Sequence, residues 1–300
     1  MGFGNELMTT ANNYILGFVG IGLMGKPLTL RLLAAGFQVY VWNRSPDKLA
    51  EVLAAGAIAS ASVGELVAAA DVVLLCLADT AAVDEVVRTE VARRGNADKL
   101  LIDLSSIHPE STRQLADHLL AVCGMSWVDA PVSGGAAGAE QGTLAIMAGG
   151  AEADIAVARQ ILKPLYSLLT HMGPVGSGQI TKICNQMIVS CNVLVIAEML
   201  ALARQAGVDA AKIPEALAGG FADSKPLQIL GPQMANQSFE PIKWRVKTLL
   251  KDLNMAVDLA AAQGAAIPMS GLAAQLMQLH GVQGYAEQDP STLIKLFEPR

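Results

Sequence analysis

A doubly wound parallel α/β sheet followed by an all-helical half is the architecture that this sequence predicts. Three observations carry it. The pattern Gly20-Ile21-Gly22-Leu23-Met24-Gly25 stands between an apolar run, Tyr14 to Val19, and a helix-like stretch, Lys26 to Ala35. Short, continuously apolar runs then alternate with Ala-rich amphipathic segments through the first half of the chain, as βαβ units require. After Gly173-Pro174-Val175-Gly176-Ser177-Gly178 the strand signals largely vanish.

The first segment reads as the strand, glycine turn and helix of a dinucleotide-binding unit. The first glycine permits the tight turn, and the second lets the backbone approach a pyrophosphate. The third lets the helix pack on the strand, so that the phosphates sit at the positive helix N-terminus. A second strand, Gln38 to Trp42, ends where a ribose-reading residue belongs. An acid there would bind the adenosine ribose 2′-hydroxyl and repel a 2′-phosphate. Asn43-Arg44-Ser45 occupies the place instead. The Arg44 guanidinium can grip a phosphate in bidentate fashion, with Ser45 and Lys48 adding a hydroxyl donor and a second positive charge. NADP(H) is therefore expected over NAD(H).

Further along, Asp71 to Leu77, Leu100 to Leu104 and Trp127 to Ala130 are apolar without alternation, the pattern of strands buried on both faces. Leu144 to Ala148 and Leu169 to Met172 are additional strand candidates. Gln179 to Gln205 reads as a single long helix, ended by Gly207 as a C′ residue. One small domain cannot bury so long an apolar helix. It is expected to bridge two domains and to support a subunit interface. Helices are expected over Ala210 to Ala218, Leu227 to Asn236, Trp244 to Gln263, Met269 to His280 and Ser291 to Phe297. The predicted organisation is a disordered extension over 1–13, a nucleotide-binding domain over 14–175 and a helical domain over 176–300.

Bulk properties narrow the function classes. Hydrophobic residues make up 52 % of the chain and mean hydropathy is +0.41, largely through alanine. The most membrane-like stretch, Met187 to Ala203, carries Ser190, Asn192 and Glu198, and so reads as a buried helix. Met1 to Asn13 lacks a basic region before an apolar core, so no signal peptide is expected. A net charge of −6 argues against general nucleic-acid binding. Cys76, Cys123, Cys184 and Cys191 lack metal-ligand spacing and read as reduced core thiols of a cytoplasmic protein.

Four motifs stand in fixed order: Gly20 to Gly25; Asp129-Ala130-Pro131-Val132-Ser133-Gly134-Gly135; Gly176-Ser177-Gly178-Gln179-Ile180-Thr181-Lys182-Ile183-Cys184-Asn185-Gln186; and Lys251-Asp252-Leu253. Over about residues 14 to 298 the set resembles the β-hydroxyacid dehydrogenases, a family that includes 3-hydroxyisobutyrate dehydrogenases, tartronate semialdehyde reductases and glyoxylate/succinic semialdehyde reductases. The resemblance implies a Rossmann-type domain, a long interdomain helix and a C-terminal all-α domain of the 6-phosphogluconate dehydrogenase-like kind, with the active site in the cleft. It implies a small carboxylated aldehyde or hydroxy acid as substrate and a homodimer or homotetramer formed through the helical domain. No nucleic-acid, membrane or metal partner is expected.

The chemistry can be argued beside the resemblance. Hydride addition to an aldehyde builds negative charge on the carbonyl oxygen, and a proton donor must stand within about 3 Å of it. Lys182 lies one turn into the long helix, where burial beside Ile180 and Ile183 suits acid–base work. In the family, the matching lysine is catalytic. Ser133-Gly134-Gly135 follows a strand end, where α/β folds place ligands; its N–H groups and hydroxyl suit an anion, and the family holds the substrate carboxylate there. Asn185 and Gln186 share the helical face of Lys182 and are expected to bind substrate oxygens. Many hydroxyisobutyrate-type enzymes carry two asparagines here. The Asn-Gln pair and Gly219-Gly220-Phe221-Ala222-Asp223-Ser224 look more like tartronate semialdehyde (2-hydroxy-3-oxopropionate) reductases, with Ser224 a further substrate contact.

The lysine matching Lys251 usually points to cofactor and substrate, although on local grounds adjacent Lys251 and Asp252 would make little mutual contact. The cofactor set is completed by Ile21, Leu23, Met24 and Asn43, by Leu77-Ala78-Asp79 and by Ser106. None of His108, His118, His171 and His280 falls in a motif, so no His-Asp shuttle is expected. Imine reductases share the architecture but usually replace the lysine. A non-catalytic NADPH-binding module would need neither Lys182 nor the Ser133 loop.

Overall fold

Five of the expected runs of the first half, with one two-residue segment, form consecutive parallel strands. In the computed structural model, which describes residues 14–298, these are β1 (Ile15–Val19), β2 (Gln38–Trp42), β3 (Ile58–Ala59), β4 (Val72–Leu75), β5 (Leu100–Asp103) and β6 (Ser126–Asp129). They pair in parallel in the order β3-β2-β1-β4-β5-β6. The order reverses between β1 and β4, and such a switch point is where doubly wound sheets bind ligands. Beyond β6 the sheet turns mixed. β7 (Val132–Ser133) and β8 (Leu144–Gly149) pair antiparallel, and β9 (Tyr166–Gly173) runs parallel to β8.

Helices cover both faces. They are α1 (Gly25–Ala34), α2 (Ala50–Ala54), α3 (Val63–Ala69), α4 (Thr80–Val86), α5 (Ala92–Arg94), α6 (Pro109–Cys123), α7 (Gly135–Gln141) and α8 (Glu152–Leu162). Strand β4 shows why its sequence does not alternate. Val72 and Leu74 belong to one apolar cluster, with Leu28 and Leu32 of α1. Val73 and Leu75 belong to another, with Leu66 of α3 and Leu115 of α6. Both faces are buried, so both sets of side chains are apolar.

The expected long helix is α9 (Ser177–Gln205), and Gly207 follows it at φ +78° as the C′ reading requires. It is followed by α10 (Ile213–Leu217), α11 (Lys225–Ala235), α12 (Val246–Gln263) and α13 (Pro268–His280). Helix α9 is long and apolar enough to cross a membrane by length and composition. Val193, Ile196, Ala197 and Leu200 nevertheless form one stripe of a buried core shared with Leu230 and Met234 of α11, Leu253 of α12 and Met277 of α13.

The chain divides into two units, one ending at Lys182 and the other beginning at Ile183. The division falls inside α9, beyond the expected junction at 175/176. The expected extension over 1–13 lies outside the described residues.

Other differences have local causes. The two-residue strands β3 and β7 are too short to leave a periodic signal. Ala210 to Ala218 is interrupted: Asp209 caps a 3₁₀ turn over Ala210–Lys212, and α10 then starts with Pro214 in its first turn. Ser291 to Phe297 is 3₁₀, not α, closed by i→i+3 bonds such as Thr292 N–H to Asp289 O at 3.0 Å and Phe297 N–H to Ile294 O at 3.0 Å. Cys184 is exposed, which corrects its reading as a core thiol; the other three cysteines are partly buried.

Candidate active site

The glycine turn between β1 and α1 divides its work as the sequence implies. Gly20 adopts φ +102°, and a Cβ there would strike the Cys76 carbonyl oxygen. A Cβ on Gly25 would strike the Gly20 carbonyl oxygen, so α1 reaches its strand only because that position has no side chain. Gly22 faces open space, with nothing within 4 Å of where its Cβ would stand. A cavity of about 340 Å³ opens beside it, bounded by Gly22, Leu23, Lys26, Asp47, Lys48 and Glu51. The space lies in front of the α1 N-terminus, the end of a helix that favours anions, and is rimmed by two lysines and two acids.

Asn43 does other work than expected. Its Oδ1 accepts from Ile21 N–H at 2.9 Å, and its Nδ2 donates to Ser45 O at 2.9 Å. It braces the glycine turn against the β2 end. Arg44 and Lys48 are exposed, and Arg44 forms no ion pair among the described residues. Lys26, which the motif reading overlooked, pairs with Glu51 at 2.9 Å. The Asp79 carboxylate accepts from Ala82 N–H at 2.9 Å as the N-cap of α4.

The ends of β4, β5 and β6 are tied together. Leu77 N–H donates to Ser105 Oγ at 2.9 Å, and Ser105 N–H donates to Asp103 Oδ1 at 2.9 Å. Ser106, next along, is half-buried. At the β6 end, Asp129 is fully buried and accepts from Gly176 N–H at 2.7 Å and Gln179 N–H at 2.9 Å, at the start of α9. Burial pushes its carboxyl up to about 6, against the lowering effect of those N–H bonds. A Cβ on Gly149 would come within 2.6 Å of Asp129 Oδ1 and 2.9 Å of Gly178 N, so the approach of α9 to the sheet depends on glycine there. Lys182 follows in the next turn, buried. Ser133 closes β7, and Gly134 and Gly135 turn the chain at φ +138° and +64° into α7.

In the second unit, Asn185 and Gln186 open a polar chain. Asn185 Nδ2 donates to Gln186 Oε1 at 2.8 Å, and Gln186 Nε2 donates to a carboxylate oxygen of Asp252. Lys251 Nζ stands 3.3 Å from the other Asp252 oxygen, so these neighbours in sequence do meet, on α12. Asp252 is buried, and sequence reasoning gave it no role of its own. Gln186, which links Asn185 to Asp252, is buried as well. Ser224 caps α11, accepting from Leu227 N–H at 3.2 Å while donating to Asn192 Oδ1 at 3.1 Å. A Ser three residues before an apolar helical run is a capping signal that could have been read from sequence.

The chain is similar to known proteins over nearly its whole length. Residues 15–173 match the NAD binding domain of 6-phosphogluconate dehydrogenase. Residues 176–297 match the NAD-binding domain of NADP-dependent 3-hydroxyisobutyrate dehydrogenase. The chain is 35 % identical over 289 residues to 2-hydroxy-3-oxopropionate reductase of Escherichia coli, covering 94 % of this chain and 97 % of that one. It is 32 % identical over 293 residues to an NAD-dependent L-serine dehydrogenase of Pseudomonas aeruginosa, covering 95 % and 98 %. The solved structure of Mycobacterium tuberculosis 3-hydroxyisobutyrate dehydrogenase with L-serine superposes with a TM-score of 0.86 at 31 % identity, covering 95 % of this chain and 99 % of that one.

Proposed function

The chain belongs to the β-hydroxyacid dehydrogenase family of NAD(P)-dependent oxidoreductases, and on that footing we propose that it is an NADPH-preferring reductase of small carboxylated aldehydes. The reverse reaction is oxidation of the matching 3-hydroxy acid. The observation that carries the reading is Lys182, buried one turn beyond a helix start that Asp129 fastens to the β6 end. A bound reduced nicotinamide would supply the hydride. The Lys182 ammonium hydrogen-bonds the carbonyl oxygen, stabilises the charge that develops there and delivers the proton. Ser133 Oγ and the N–H groups of Gly134 and Gly135 hold the substrate carboxylate. Asn185 is a further candidate for a substrate oxygen, with its amide oriented through Gln186 and Asp252. Lys251, held by Asp252, is a further candidate for an anionic group of the cofactor.

The preference for NADPH rests on Arg44 and Lys48 at the β2 end. Tartronate semialdehyde is the favoured substrate, supported by the Asn185-Gln186 pair and by the similarity to the E. coli reductase of that specificity. The similarity to the M. tuberculosis enzyme keeps 3-hydroxyisobutyrate as the second reading, with succinic semialdehyde and glyoxylate behind it. Steady-state kcat/KM with NADPH should rank tartronate semialdehyde above methylmalonate semialdehyde. The opposite ranking would move the assignment to the hydroxyisobutyrate branch.

Helix α9 exposes Ile188, Val195 and Leu202, spaced seven residues apart, and α13 exposes Met269, Leu272 and Leu279. These two stripes support assembly of two or four copies through the helical unit. A monomer mass by light scattering at micromolar concentration would contradict it. The four unpaired cysteines support a reducing, cytoplasmic setting.

A further inference from the structure

Gln179 belongs to none of the roles assigned so far, yet it is among the most completely engaged side chains of the first unit. It is 1 % exposed. Its Nε2 donates to Ser105 O at 2.9 Å, and its Oε1 accepts from Ile107 N–H at 3.2 Å. Its own N–H donates to Asp129 at 2.9 Å. Ser105 in turn receives Leu77 N–H on its hydroxyl at 2.9 Å. One side-chain amide thus closes a circuit through the ends of β4, β5 and β6 and the first turn of α9. Lys182 is three residues further on, about one helical turn.

The position demands glutamine chemically. The Ser105 carbonyl needs a donor and the Ile107 N–H needs an acceptor, at the reach of a two-methylene side chain. Glutamate would set a carboxylate oxygen against the Ser105 carbonyl. Methionine has the length and offers neither group. Buried backbone groups left without partners are costly, so this amide fixes the segment 104–108 tightly to α9.

We propose that Gln179 is a positioning residue for the reduction: it sets the Lys182 ammonium in register with the strand-end loop carrying Ser105 and Ser106, which would line the nicotinamide when the cofactor is bound. The inference rests on Lys182 being the proton donor. Its physical warrant is the steepness of catalysis with distance. A displacement of about 1 Å at a reacting group can cost about 10²-fold in rate while binding is little changed.

The test uses the full-length enzyme with Gln179→Met, read beside wild type and Lys182→Ala. Four quantities are compared: kcat, KM for the aldehyde, NADPH affinity and stoichiometry by fluorescence titration, and the primary deuterium isotope effect on kcat with 4-deuterated NADPH. The expected result is a kcat about 10- to 100-fold lower, with NADPH affinity within a few-fold of wild type and full binding stoichiometry. The isotope effect should rise, because hydride and proton transfer become slower than product release. A purely structural role would instead lower binding stoichiometry and kcat in proportion, with the isotope effect unchanged, and that outcome would overturn the proposal. So would wild-type kcat in Gln179→Met. Should Gln179→Met be insoluble, Gln179→Asn, which keeps both amide groups one methylene short, is read by the same criteria. If Lys182→Ala itself keeps wild-type turnover, the proton-donor reading fails first and the positioning role falls with it. If Lys182→Ala is inactive and Gln179→Met is normal, only the positioning role fails.

Discussion

Lys182→Ala should lower kcat by at least about 10²-fold, the usual scale for a positioned general acid, while NADPH affinity changes little. The reasoning starts from charge. The aldehyde oxygen is neutral in the ground state and gains nearly a full negative charge as hydride arrives. A group that contacts it chiefly in the transition state therefore acts on kcat more than on cofactor binding. Lys182 is buried, on a helix turn fastened through Asp129 and Gln179, so little reorganisation accompanies its use. Lys182→Met is the companion variant, because it keeps an apolar stem of similar length and removes only the charge. Fluorescence titration of NADPH with stopped-flow turnover separates the two effects, and near-normal turnover in either variant would refute the acid role.

Arg44→Ala should weaken NADPH by roughly 10- to 150-fold and leave NADH nearly unchanged. A charge-assisted contact to the 2′-phosphate is worth about 1.5–3 kcal/mol, and each 1.4 kcal/mol is about tenfold in affinity. The guanidinium is exposed and unpaired by any acid among the described residues, so no internal partner has to be displaced before it grips a phosphate. Asp47 and Glu51 border the cavity beside Gly22, where Glu51 is paired with Lys26. Dissociation constants for both cofactors, in wild type and variant, check the prediction. Equal losses for NADPH and NADH, or a wild type that prefers NADH, would sink it.

Much of the fold is written in local patterns. Strands β1 and β2, the glycine turn and α9 follow from apolar runs, φ-permissive glycines and a long uninterrupted helical stretch, all of which are short-range signals. What the sequence hides is pairing across distance. Asp129 is visible as part of a motif, but its bonds to Gly176 and Gln179 join residues far apart in the chain. Gln179 and Ser105, or Gln186 and Asp252, are likewise unremarkable polar residues until folding buries them together. Polar side chains also serve the backbone first. Asn43, Asp79 and Ser224 stand at ligand-like positions, yet each satisfies an N–H of a turn or helix start. The motifs mark which segments come under consideration, and hydrogen-bond satisfaction shows which of their polar groups already serve the backbone.

The central claim is that this chain reduces an aldehyde that carries a carboxylate. The proposed carboxylate contacts, Ser133 and the N–H groups of Gly134 and Gly135, would lose their partner when the substrate lacks the charge, and sites of that kind reject the truncated analogue by far more than an apolar pocket can. The direct measurement is steady-state kcat/KM, followed by NADPH absorbance, for tartronate semialdehyde and succinic semialdehyde against butyraldehyde. The account predicts that the carboxylated aldehydes are reduced faster by about 10²-fold or more. Comparable values for butyraldehyde would contradict it.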